Sequence, residues 1–335
     1  MIAAVVRAPG PPSVLAIERL PIPSPGPGDV LIRVRAAGLN RSEMFTRQGH
    51  SPSVTFPRVL GIEAVGTVET CPSGKLAKGA VVATAMGGLG RAFDGGYAQY
   101  TCVPVTSAQV IYTAEEVSSG RDADGTPLLP WPTLGAMPEM LQTARGCLTK
   151  GLQLKAGDRL LIRGGTSSIG LTAAALARDM GATVWSTTRS DTRSEVLKRN
   201  GAEHVVIDSG HVAEQVKGAD INKCLELIGT KTLIDSLHAV RCPGGIVCMA
   251  GILGNSWTLK DFNPTASIPS GVFLTGYAGS TNDFMDTPLA KIAREIAAGR
   301  MRLEVGATMP IQDIVKAHTL MEENRANGKI VMLLD

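Results

Sequence analysis

Between the apolar run Leu160–Arg163 and the periodic stretch beginning at Leu171 lies a loop of small and hydroxyl residues, Gly164-Gly165-Thr166-Ser167-Ser168-Ile169-Gly170. A strand, a glycine turn and a helix in that order make an anion site. Unpaired amides and the helix dipole both favour a phosphate at the helix N-terminus, and small residues let it approach. The loop reads GxSxxG from Gly165 to Gly170, with Ser167 where a dinucleotide fingerprint has its middle glycine. An ordinary strand-to-helix turn is the alternative, and the strand–helix rhythm around the loop argues against it. The next apolar stretch ends in Thr187-Thr188-Arg189-Ser190, with Arg193 a turn later. An acidic residue there would hold a ribose diol, whereas arginine pairs with a 2′-phosphate. Thr188, Arg189 and Arg193 therefore favour NADPH over NADH, unless the two arginines are solvated surface charges.

Other chemistry is thinly represented. Gly-x-Ser-x-Gly is absent. His204, His211, His238 and His318 are scattered without metal-ligand spacing, and the six cysteines form no CxxC pair. We expect reduced thiols in a cytoplasmic protein. The opening residues, with Arg7, Pro9, Pro11 and Pro12, do not read as a secretory leader, and no apolar stretch is long enough for a membrane span. A net charge of +3 without a dense basic run speaks against nucleic acid or membrane as partner. A small-molecule substrate remains.

The elements that must position these groups fall into two patterns. Residues 1 to about 110 read as short strands punctuated by proline and glycine, among them Val30–Val34, Gly61–Glu69 and Gly79–Ala85. Residues 111–132 gather Asp122, Asp124, Gly125, Pro127, Pro130 and Pro132, the composition of an exposed loop or linker. From about 136 strands and helices alternate, which predicts a parallel sheet with right-handed crossovers. After about 270 the chain is expected to return to the first domain, ending in the strand Gly328–Leu334.

Several segments taken together resemble the medium-chain dehydrogenase/reductase superfamily. Leu39–His50 followed by Phe56–Val68, Asp94–Tyr100, Pro138–Leu148, GTSSIG, TTRS, ELIG and GKIV occur in its order and spacing. The resemblance implies an α/β protein with a GroES-like β-barrel in residues 1–130, a Rossmann doubly wound sheet in 131–270, and a return to the barrel in 271–335. It also implies an active site in the cleft between them and a homodimer joined through the edge strand at Val272–Leu274. Zinc-dependent members carry cysteine and histidine where this chain has Leu39 and Ile62, and neither replacement can bind zinc. The sequence thus resembles the zinc-free, quinone oxidoreductase-like branch. Glu63 survives beside Ile62 and is expected in a structural hydrogen bond.

That resemblance assigns Asn40 to the active site, with Ser42 and His50 nearby as candidate donors. It assigns Thr143, Ile228, Gly251 and Ile252 to the nicotinamide end of the cofactor and Lys329 to its phosphates. Phe45 and Ser51 stand where many relatives carry tyrosines. The expected activity is hydride transfer from NADPH to a quinone or α,β-unsaturated carbonyl, whose developing enolate needs hydrogen-bond donors rather than a metal. An enoyl-thioester reductase is one alternative. A non-enzymatic NADPH-binding protein, of the crystallin or RNA-binding type, is the other.

Overall fold

The computed structural model describes residues 1–335. It divides into two compact units, one of Met1–Glu139 with Ser280–Asp335 and one of Met140–Gly279.

The first unit is built on a seven-stranded sheet centred on Asp29–Gly38. This long strand pairs antiparallel with Glu63–Thr70, Tyr100–Pro104 and Lys329–Leu333. Its register against Glu63–Thr70 shifts twice, and such bulges bend a strand sharply enough to curl a sheet. In the expected strand Val30–Val34, Val30, Leu31 and Ile32 are all buried because the curled sheet encloses both faces. Val30, Ile32, Val68, Val82 and Val103 form the core.

Residues 111–132 are not a linker. Thr113 and Glu116 form a capping box that starts the helix Ala114–Ser119. Asp122 is buried, and its carboxylate accepts from the Asp124 and Thr126 amides at 3.0 and 2.8 Å. The aspartates and prolines that follow shape a mostly exposed loop, as their composition suggests, and the helix before it is what composition did not show.

The second unit is a six-stranded sheet of parallel strands. Its order is His204–Ile207, Thr183–Thr188, Arg159–Arg163, Lys223–Glu226, Ile246–Met249, Phe273–Gly276. Order reverses between Arg159–Arg163 and Lys223–Glu226, which opens a crevice at their carboxyl ends. Leu160 and Ile162 pack into one core and Leu161 into another, so both faces of the strand are covered. Phe273–Gly276 pairs parallel with Ile246–Met249. It belongs to this sheet, and the chain re-enters the first unit at Ser280 rather than 271. An apolar run of four residues carries no mark of the sheet it joins. No helix is long and apolar enough to cross a membrane, and none of the six cysteines is in a disulfide.

Candidate functional site

The glycine loop sits where Arg159–Arg163 gives way to the twelve-residue helix Ser168–Asp179. Gly164 adopts φ +80°, open to glycine at no cost. A Cβ on Gly165 would lie 2.0 Å from Ser186 Oγ, and one on Gly170 would lie 2.7 Å from the Gly164 carbonyl. These two glycines let the helix and the neighbouring strand close on the loop. Ser167 is the N-cap: its hydroxyl donates to the Gly164 carbonyl at 2.8 Å and accepts from the Gly170 amide at 3.1 Å. Thr166, Ser168 and Ile169 are half-buried around the helix start. The cradle fits the pyrophosphate of a dinucleotide.

At the end of Thr183–Thr188, the Thr188 hydroxyl is held in the turn by Ser190. Arg189 is exposed and Arg193 half-buried. The nearby carboxylate, Asp191, accepts from the Ser194 hydroxyl at 2.8 Å and so serves the helix that follows. Gly251 and Ile252 border a hollow of about 440 Å³, lined also by Met249, Thr275 and Tyr277. Thr143 is half-buried on the helix Pro138–Gly146 and Ile228 half-buried after Lys223–Glu226. Gln142, just before Thr143, and Gly146, about one turn after it, seat Tyr277. The Gln142 amide donates to its hydroxyl at 2.6 Å, and a Cβ on Gly146 would lie 2.0 Å from it.

In the first unit the structure gathers Asn40, Glu43, Glu63, Glu139 and Lys329. Lys329 Nζ lies 2.7 Å from Glu63 Oε1 and donates to Asn40 Oδ1 at 2.5 Å and Glu139 Oε2 at 3.5 Å. Asn40 Nδ2 donates to Glu63 Oε1 at 2.9 Å and Glu43 Oε1 at 3.2 Å. Glu63 therefore has the structural role expected of it. Two assignments are corrected. Lys329 is 2% exposed and surrounded by carboxylates, so it has no free ammonium to offer a phosphate. Asn40 has its whole amide committed within the cluster, leaving no hydrogen for a substrate carbonyl. Neither partner set was visible in sequence, because Lys329 lies far along the chain from Asn40 and Glu63.

Burial raises the Glu63 carboxyl above the usual range, against the pull of Lys329. It pushes Glu43 up to about 7, opposed by a hydrogen bond from the Ile62 amide and reinforced by Glu63. Burial would lower Lys329, but Glu63 and Glu139 outweigh it and hold the ammonium charged. Leu39 and Ile62 are buried hydrocarbon beside this cluster.

Ser42 lies in the short helix Arg41–Arg47, half-buried, and its hydroxyl oxygen accepts from the Arg91 guanidinium. His50 is exposed, its ring edge-on to Phe45 with centroids 6.4 Å apart. Ser51 shares a hydrogen bond with Thr46 at 2.9 Å. Arg163, the last residue of the strand before the glycine loop, is fully buried. Its guanidinium grips Asp208 in two bonds of 3.1 and 2.9 Å and reaches Asp235 at 2.5 Å. An arginine immediately before the glycine loop was the signal available for it.

Residues 26–113 match the alcohol dehydrogenase GroES-like domain, and residues 200–332 match the zinc-binding dehydrogenase family. The chain is 25% identical to an acryloyl-coenzyme A reductase of Sulfurisphaera tokodaii, with 98% of each chain covered. It is 26% identical to a 2-haloacrylate reductase of a Burkholderia species, covering 99% of each. It is 25% identical to the quinone oxidoreductase of Sus scrofa, over 97% of this chain and 95% of that one. The fold superposes on the Escherichia coli quinone oxidoreductase in complex with NADPH with a TM-score of 0.85, at 18% identity and full coverage of both chains. With barrel and parallel sheet in the same order and these relatives matched end to end, the chain belongs to the medium-chain dehydrogenase/reductase superfamily of oxidoreductases, on its quinone oxidoreductase-like branch.

Proposed function

We propose that the protein is a zinc-independent, NADPH-dependent reductase of conjugated carbonyl compounds. The observation that carries the cofactor assignment is the turn after Thr183–Thr188. It presents an exposed Arg189, and the carboxylates beside it are engaged elsewhere, Asp191 by Ser194 and Asp208 by Arg163. The Escherichia coli structure of the same fold holds NADPH. Zinc independence rests on Leu39 and Ile62, side chains without a donor atom, and on the ion pair that occupies Glu63.

A bound reduced nicotinamide supplies a hydride. The acceptor's double bond would gain that hydride at the β carbon and a proton from water at the α carbon. Charge develops on the acceptor's carbonyl oxygen, so the protein must offer a hydrogen there. Ser42 is better placed for this than Asn40. Its oxygen already holds an Arg91 hydrogen, which leaves its own proton to donate. Gly164 to Gly170 would hold the pyrophosphate, Thr188, Arg189 and Arg193 the ribose phosphate, and Thr143, Ile228, Gly251 and Ile252 the nicotinamide end.

An enoyl-thioester acceptor is a second reading within this class, favoured by the end-to-end match to an acryloyl-coenzyme A reductase. A homodimer joined at Phe273–Gly276 agrees with the 58% exposure of Phe273 on that edge strand. The test is NADPH and NADH oxidation against quinones, enones and enoyl thioesters, on protein whose zinc content has been measured. Turnover with NADPH by zinc-free protein is expected. Tight NADPH binding without turnover of any acceptor would favour the crystallin or RNA-binding alternative, and loss of activity with removal of stoichiometric zinc would overturn the branch.

A further inference from the structure

Arg91 stands on a loop built for rigidity. Met86, Gly87, Gly88 and Gly90 all take positive φ, and the amides of Arg91 and Ala92 both donate to the Gly88 carbonyl, at 3.0 and 2.7 Å. The loop is anchored at its base. Met86 N donates to the Ile62 carbonyl at 2.9 Å, and a Cβ on Gly90 would lie 2.8 Å from Gly61 backbone atoms. From this platform the exposed guanidinium of Arg91 reaches across to Ser42 Oγ. Its partner is a hydroxyl. Arg7, Arg58 and Arg294 in the same unit each meet a carboxylate instead. A fixed guanidinium beside a hydroxyl with a proton to give presents two converging donors and one uncompensated positive charge.

We propose that Ser42 and Arg91 form a carboxylate-recognition element, and that the acceptors this protein reduces are α,β-unsaturated carboxylic acids held by their carboxylate. The proposal rests on the reductase reading and names its substrate class. A guanidinium fork matches a carboxylate in shape and charge, and the Ser42 hydroxyl adds a third hydrogen. The pairing also has a chemical consequence. A free carboxylate is a poor conjugated acceptor, because hydride addition places a second negative charge on a group that already bears one. Arg91 offsets the first charge and Ser42 donates to the oxygen that gains the second. A neutral ketone or quinone needs no such cation.

The test compares methacrylate with methyl methacrylate as acceptors and titrates isobutyrate calorimetrically, in wild type, Arg91→Met and Arg91→Lys. The acid-to-ester ratio of kcat/KM is expected to fall by about ten- to a hundredfold in Arg91→Met. Isobutyrate binding should weaken by a similar factor. Arg91→Lys should keep part of both, since it retains charge but loses the fork. An unchanged ratio and unchanged isobutyrate binding in Arg91→Met, with wild-type melting behaviour, overturns the proposal. If wild type reduces neither acid nor ester, the methacrylates are not its acceptors, and if quinones, enones and enoyl thioesters also fail the reductase reading falls. In either case calorimetry still judges the element: binding that depends on Arg91 supports it, and no binding overturns it.

Discussion

Lys329 in the first unit and Arg163 in the second are both buried cations among carboxylates, and they leave their surroundings in different states. Around Arg163 the polar groups are closed upon one another. Asp208 receives two guanidinium hydrogens, Asp235 another, and Ser236 bridges to Glu226 at 2.5 Å. Glu226 also accepts from the Ile228 and Gly229 amides at 2.7 and 2.9 Å. Around Lys329 the closure is incomplete, for Glu43 Oε2 is buried without a hydrogen-bond partner. A guanidinium fork can tie several strand ends at once, whereas a compact ammonium reaches fewer acceptors. The second unit therefore gains a fixed frame beneath its glycine loop. The first keeps a carboxyl with a proton to lose near neutrality.

The strongest way to break this contrast is Arg163→Met. Removing the cation leaves Glu226 buried and Asp208 and Asp235 half-buried without it, and we expect a loss of about 3–5 kcal/mol in urea unfolding. A loss below about 1 kcal/mol would show that the closed cluster is not a frame. Next is Glu43→Gln. The folded carboxyl keeps its proton up to about 7, while the unfolded one releases it near 4.5. Native protein then binds more protons between those values, so wild-type stability falls as pH rises through that window, by up to about 3 kcal/mol. Glu43→Gln should lack this slope, equal wild type below about pH 4.5 and exceed it above about pH 7. Parallel stability curves for the two proteins would remove Glu43 as the titrating member.

Arg189 sharpens the comparison from the ligand side, as an exposed arginine in the same unit as Arg163. Arg189→Ala should weaken NADPH by roughly tenfold, about 1.4 kcal/mol, and leave NADH affinity and melting temperature nearly unchanged. Equal losses for both cofactors would show that it does not read the 2′-phosphate. The smallest effect is expected at Ser167, whose hydroxyl caps the helix Ser168–Asp179. Ser167→Ala should cost about 1 kcal/mol of stability and Ser167→Gly only a few tenths. A reversed order in chemical denaturation would mean the serine serves something other than the cap.

The strand–glycine–helix turn was legible because its signal is local: its parts follow one another within twenty residues or so. The parallel sheet was legible for the same reason. What escaped was non-local or cooperative. Lys329 and Glu63 meet through an antiparallel pairing of the last strand with Asp29–Gly38, and no spacing rule joins them. Phe273–Gly276 could belong to either unit until its neighbour was known. Thr113-x-x-Glu116 was a capping box in plain sight, hidden by the proline-rich residues that follow it.

The interrupted first unit has a consequence for the order in which the molecule can assemble. As the chain is synthesised, the second unit is complete once Gly279 has emerged, whereas the first must wait for the strand Lys329–Leu333. Until then Asn40, Glu43 and Glu63 have no ammonium among them, and the sheet position beside Asp29–Gly38 stands open. The closing contacts join residues about 290 apart in sequence, as in the bond from Lys329 to Asn40, and contacts of such separation form slowly. The second unit can thus be complete while the first still waits for its last strand.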